Sequence, residues 1–181
     1  MLNAVYLRKM ASPEHVAHAT GLDPVRVRAA LAESASKGLS VDLGGQYMLS
    51  EDGRHGVLAH YANACAPLRE NRTVVEWYER FETTTNAQFI KLVTEWQKSD
   101  GDERVQDRLV RLVERHIGGV RELAKSIPRY ESYAARFEQG LSHIDAGERD
   151  FVCKPTIDSV HNVWFEFHED ILAAIGRPRE T

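Results

Sequence analysis

Apolar positions in the first fifty residues recur with helical spacing and then switch to alternation. A first helix is expected over residues 2–10, with Val5 and Met10 turned toward a core. Ser12, Pro13 and Glu14 then form a helix start. The serine can accept from a free N–H of the first turn, and the proline sits where its missing N–H costs nothing, so a second helix runs through His15 to Thr20 and stops at Gly21. Leu22 is expected inside the turn that follows. Asp23 and Pro24 repeat the start signal, and the next helix continues through VRVRAALAESASK to Gly38. Two helices joined by a tight glycine-containing turn make a helix-turn-helix unit.

After Gly38 the period becomes two. Leu39, Val41 and Leu43 alternate with Ser40 and Asp42, Gly44-Gly45 suits a two-residue hairpin turn, and Gln46 to Leu49 returns. Ser50 caps a further helix across EDGRHGVLAHYANACA, which Pro67 and the polar LRENR stretch end. The run from Ala11 to Arg54, with its cap, turn, third helix, Gly-Gly hairpin and Leu-Ser-x-x-Gly helix start, resembles the winged-helix domain of MarR-type bacterial regulators. It covers about a quarter of the chain. One departure from that pattern is Ser34, the inward position after Val27 and Leu31, where such helices carry a large apolar residue. The resemblance implies a helix that reads double-stranded DNA and a wing beside it.

From Arg72 onward only helical stripes are found. A segment over residues 73–98, interrupted at Thr83 to Thr85, is expected to bury Phe81, Phe89, Ile90, Val93 and Trp96. After the loop and cap at Ser99 to Asp102, Val105, Leu109, Leu112, His116, Val120, Leu123 and Ile127 form one amphipathic face. Gly118-Gly119 interrupts it, so a kink or a close approach of another backbone is expected there. Pro128 opens a helix with Tyr130, Tyr133, Phe137, Leu141 and Ile144 on one side. A last helix after Pro155 and Thr156 aligns Ile157, His161, Trp164, His168, Ile171 or Leu172, and Ile175, and the charged end from Arg177 to Thr181 is expected to fray. The stretch SVHNVWFEFHEDIL is distantly similar to the tail of actinobacterial MarR-like regulators.

The fold class that follows is mainly α: a winged helix-turn-helix of three helices and a two-stranded wing over residues 1–69, then an all-α helical bundle over 70–181. Charge adds a mild asymmetry to a net of -4. Up to Arg69 the chain carries seven Lys and Arg against six Asp and Glu, and beyond it sixteen against twenty-one. The net charge is therefore +1 up to Arg69 and -5 beyond it, so phosphate binding, which needs local positive charge, is expected of the N-terminal part if of either. The N-terminus has no apolar core behind a basic start and no run approaches a membrane span, so the expected location is cytoplasmic, without a membrane partner. The two cysteines, Cys65 and Cys153, have neither disulfide-framework nor zinc-finger spacing.

Arg26, Arg28, Ala29 and Ser36 face away from Val27 and Leu31 and are the candidates for DNA contact, with Gln46 and Arg54 at the wing. The rival reading of the same surface is an adaptor that binds protein. In the second domain Trp96, Tyr130, Tyr133 and Trp164 offer aromatic walls, and Asn86, His161 and His168 polar anchors, for a small-molecule effector. Aromatic and histidine residues at helical spacing are also what a plain core contains. A metal held by His116 with one of His161 and His168 and an acid such as Asp158 or Glu169, resembling the sites of some GntR-type regulators, is the weakest of these readings, because His161 and His168 lie about 10 Å apart along one helix. Dinucleotide, P-loop, HExxH and GxSxG motifs are lacking, so no catalytic residues and no cofactor are assigned. The expected protein is a homodimeric, DNA-binding transcription regulator.

Overall fold

The computed structural model describes residues 1–178. It is mainly helical with one small antiparallel sheet, and it divides into two compact units: Met1–Pro67 together with the segment from Glu169 onward, and Leu68–His168. Of the end expected to fray, Arg177 to Thr181, residues 179–181 lie outside the described residues. The first unit thus includes residues from Glu169 that the sequence pattern places in the second domain, expected over 70–181, and polar pairs link them to the first helix: Asn3 Nδ2 donates to Asp170 Oδ2 at 3.4 Å, and Lys9 Nζ lies 3.7 Å from Glu169 Oε2.

In the first unit α1 (Leu2–Arg8) ends earlier than expected, because Met10–Ala11 forms a strand, β1. That strand pairs with β3 (Tyr47–Leu49), which pairs in turn with β2 (Ser40–Asp42), giving the order β1-β3-β2. Met10 is consequently half exposed, at 50%, and Ala11 takes the buried place. The helices α2 (Pro13–Thr20) and α3 (Pro24–Ser36) start where their caps lie: Ser12 Oγ accepts from His15 N at 3.2 Å and Asp23 Oδ1 from Arg26 N at 3.0 Å. Leu22 points outward rather than into the turn. Ala4, Val5, Ala11, Val16, Ala17, Val27, Leu31 and Tyr47 make the core of this unit.

Ser34 and Ser40 resolve the departure at the third inward position of α3. Both are buried, their hydroxyls lie 2.5 Å apart, and Ser34 Oγ donates to Leu31 O at 2.8 Å. A polar pair thus occupies the place of an apolar side chain, and no hydroxyl is left unsatisfied. It also sets the hairpin's facing: Ser40 is inside, and Val41 and Leu43 are outside. Gly44 and Gly45 both take positive φ, 72° and 90°, and Asp42 Oδ1 accepts from Gly45 N at 2.7 Å.

The Leu-Ser-x-x-Gly start of α4 (Glu51–Ala64) has a physical explanation. Ser50 Oγ accepts from Gly53 N at 3.1 Å and donates to Gly38 O at 2.6 Å, which ties the helix start to the end of α3. A Cβ on Gly53 would stand 1.8 Å from the Leu39 carbonyl oxygen, whereas one on Gly56, a turn later, would meet nothing within 4 Å. Gly53→Ala is therefore expected to destabilise by about 2–3 kcal/mol through a backbone collision, and Gly56→Ala to stabilise by about 0.5–1 kcal/mol. Urea denaturation reads both, and equal signs would contradict this packing. Pro67 does not end the chain's helical run, since it lies in the first turn of a new short helix, α5 (Ala66–Glu70).

In the second unit α6 (Arg72–Arg80) passes into a π-helical turn, Phe81–Asn86, and on into α7 (Ala87–Lys98). Phe81, Phe89, Leu92 and Val93 are buried, while Ile90 is 57% exposed, outside the stripe expected for it, and Trp96 is half-buried. Helix α8 (Glu103–Ala124), capped by Asp102, is uninterrupted through Gly118-Gly119. The close approach there is made by a side chain: a Cβ on Gly119 would stand 3.2 Å from Trp77 Nε1, and one on Gly118 would meet open space. A 3₁₀ turn, Pro128–Tyr130, leads to α9 (Glu131–Asp145), then α10 (Asp150–Cys153), which the apolar pattern had not suggested. Helix α11 (Val160–Ile175) buries Val163, Trp164, Glu166, Phe167 and His168. Among the described residues no helix is long and apolar enough to cross a membrane.

Candidate functional site

Two regions bring polar and chemically capable side chains together, one in each unit. In the first, α3 buries only Val27, Leu31 and Ser34, a single narrow stripe on a helix of thirteen residues. At 100° per residue the opposite face consists of Val25, Ala29, Ala32 and Ser36, with Arg28 on one flank and Arg26 and Glu33 on the other. All seven are exposed, Val25 at 70%, and Glu33 pairs with Lys37 at 2.6 Å. Small residues in the middle and guanidinium groups at the edges can enter a groove and reach both base edges and phosphates. Arg28 Nη2 is held 2.8 Å from Glu14 Oε1, and that bond keeps the Glu14 carboxyl below its ordinary range. Ser36 Oγ donates to Glu33 O at 2.8 Å. Gln46 is half-buried at the base of the hairpin turn, and Arg54 is exposed on α4. A second feature of this unit is apolar: the cross-strand neighbours Met10, Met48 and Val41 are all exposed, at 50%, 43% and 43%.

The second region is centred on the π turn. A polar chain crosses it: Glu82 accepts from Tyr78 OH at 3.2 Å and from Asn86 Nδ2 at 3.2 Å, and Asn86 Oδ1 accepts from Trp164 Nε1 at 2.9 Å. His168 Nε2 stands 2.7 Å from Glu82 Oε2, at an angle that is not a hydrogen bond. Asn86, Trp164 and His168 thus meet, as a common effector site would require, but they meet as packed interior. Trp164 stacks on Phe89 with ring centres 3.9 Å apart, and the His161 ring lies 6.3 Å from the same Phe89 ring. Tyr130 and Tyr133 lie elsewhere, edge-on against Phe167. Trp96 lines a different cleft of about 490 Å³ with Gly101, Arg149 and Cys153.

His116 is the outlier. It is buried in a cage of rings, with Trp164 at 4.3 Å and Phe81 and Phe167 at 5.2 Å, and its Nε2 has no hydrogen-bond partner. Burial takes its pKa down to about 3, so the imidazole is uncharged at neutral pH. It also lines a cleft of about 320 Å³ between the π turn and α8, together with Trp77, Arg80, Phe81, Thr84 and Arg115. Neither arginine was singled out from the sequence, where both fall on the charged sides of their helices.

The grouping of histidines with Asp158 around a metal is not what the structure brings together. Asp158 Oδ2 accepts from Arg136 Nε at 2.8 Å, and among the described residues no three His, Cys, Asp or Glu side chains are arranged to hold an ion. Arg136 also donates to Glu166 Oε2 at 2.8 Å. Burial opposes its charge, but the Glu166 and Asp158 carboxylates outweigh that and raise its pKa further.

His116 gives a pH dependence whose sign is fixed. Above pH 6.5 it is neutral in folded and unfolded chains alike; as the pH falls from 6.5 toward about 3, only the unfolded chain takes up the proton. Stability is therefore full above pH 6.5 and falls by about 1.4 kcal/mol per pH unit below it. Between pH 6.5 and 5 this residue is expected to cost about 2 kcal/mol, a component of the urea-derived slope that His116→Gln removes. An unchanged slope in that variant would place the imidazole in solvent.

Comparison of the chain with protein-family models, with curated proteins and with solved structures finds no match.

Proposed function

We propose that the chain is a DNA-binding transcription regulator whose first unit is a winged helix-turn-helix of the MarR-like kind, acting as a homodimer that responds to an effector bound by the helical unit. The observation that carries the reading is α3: a helix preceded by a glycine turn, buried along Val27, Leu31 and Ser34 only, and presenting Val25, Ala29, Ala32 and Ser36 between Arg26 and Arg28. An α-helix fits the major groove of B-DNA, about 12 Å wide, only when its outer face is free and small in the middle. An exposed valine beside arginines suits a thymine methyl next to phosphate or guanine contacts. The Gly44-Gly45 hairpin, the proposed wing, has no basic residue at its tip, so backbone contacts come from Arg54 and the ends of α3.

A specific observation also favours the adaptor reading. The exposed row Met10, Met48 and Val41 is an apolar patch on the sheet of the same unit, and a protein partner, a second copy of this chain included, would be drawn to it. Ile90 is the single large apolar side chain exposed in the second unit among the described residues. Support for self-association thus comes from the sheet face more than from the helical unit to which the sequence pattern had assigned it. The experiment that tests the proposal is fluorescence anisotropy of a labelled duplex taken from upstream of the protein's own coding region. Saturable binding that weakens steeply with salt is expected, and absence of binding would leave the adaptor reading.

A further inference from the structure

We propose that the cleft between α6, the π turn and α8 binds an aromatic carboxylate, its ring on the aromatic floor and its charge between Arg80 and Arg115. As an effector site it rests on the regulator reading; as a binding site it does not.

The charge follows from the rim. Arg80 and Arg115 stand on opposite elements, no carboxylate lines the cleft, and neither guanidinium has an ion-pair partner among the described residues. Thr84, Thr85 and Gln88 add hydroxyl and amide donors between them, so the rim offers many N–H and O–H groups to an anion and no charge to a cation.

The floor decides what kind of anion. Trp77 and Phe81 are stacked at 5.3 Å with planes 10° apart, and beneath them lies the uncharged His116 with Nε2 unpartnered. A free inorganic phosphate would satisfy the rim and leave the half-buried Trp77 ring bare, whereas a flat ring covers it, with the buried Phe81 and His116 packed behind. The site is built for this. Gly119 lets the Trp77 ring lie against α8 where a Cβ would stand 3.2 Å from it, and the π turn widens the helix at the point where Thr84 and Thr85 face the cleft. π-Helical turns inside α-helices are rare and recur at functional sites. A volume of about 320 Å³ holds a body of roughly a dozen non-hydrogen atoms.

The test is isothermal titration of the full chain with 2-naphthoate. One site per protomer is expected, weakened about 10-fold or more by Arg80→Gln and by Arg115→Gln, and unchanged by Arg108→Gln, whose guanidinium pairs with Glu95 away from the cleft. The neutral 2-naphthamide is expected to bind about 10-fold more weakly, and inorganic phosphate in equal concentration not to displace the naphthoate. Melting curves establish that each variant is folded. Lack of binding, equal binding of acid and amide, displacement by phosphate, or wild-type affinity in both cleft variants would overturn the assignment. DNA binding measured on the same samples separates the two proposals: its loss with intact naphthoate binding counts against the regulator reading alone, and the reverse counts against this site alone.

Discussion

Replacing Arg136 with alanine is expected to cost about 3–5 kcal/mol of unfolding free energy. The guanidinium bridges Asp158 and Glu166 at 2.8 Å each, with side-chain exposures of 6%, 15% and 6% for Arg136, Asp158 and Glu166. Burying three charges is costly, and the gain over an apolar cluster is small. Removing Arg136 is different, because it takes a counter-charge at 2.8 Å away from two carboxylates in a poorly solvated interior. Arg136→Met combined with Glu166→Leu is therefore expected to recover much of the loss, Asp158 being near enough to water to be solvated. Arg121 is the contrast. It pairs with Glu131 and Glu138 in the open, and its replacement is expected to change urea unfolding little. Equal effects of the Arg136 and Arg121 variants would contradict this placement of the α9–α11 network.

The second large effect concerns DNA. Arg26→Ala with Arg28→Ala is expected to weaken operator binding about 100-fold, roughly ten-fold for each guanidinium that loses a phosphate or guanine contact. Both side chains are exposed, so the helical spectrum and melting temperature should not move. Glu14 gives an internal control. Its carboxylate holds Arg28 at 2.8 Å and competes with phosphate for it, so Glu14→Gln is expected to strengthen binding. Unchanged affinity in both variants would remove α3 from the interface.

The local part of this fold was legible in the sequence. Ser12, Asp23, Ser50 and Asp102 are each followed within three residues by the N–H they cap, so composition alone marks the helix starts. What escaped depends on distant partners. Two residues, Met10 and Ala11, become a strand only because β3 lies beside them, and Ser34 is an inward residue only because Ser40 meets it. The same holds for the end of α11, where Asp170 is claimed by Asn3. Gly118-Gly119 was read as a breaker because glycine costs about 1 kcal/mol against alanine, yet the buried stripe from Val105 to Leu123 holds the helix through it. The candidate site divides in the same way. Polar residues on apolar stripes, His116, His161 and His168, are visible in the sequence, as is Asn86 as a polar anchor. Arg80, Thr84 and Arg115 look like ordinary solvated surface until a π turn, which no periodicity announces, turns α6 and α7 around one cleft.

Sequence-specific DNA binding through α3 is tested most directly by titrating the labelled upstream duplex with the full chain in a large excess of random-sequence competitor DNA. A complex that persists against the competitor, and that Arg26→Ala with Arg28→Ala abolishes, is the expected result. A signal removed by the competitor, or one the double variant retains, would contradict the claim.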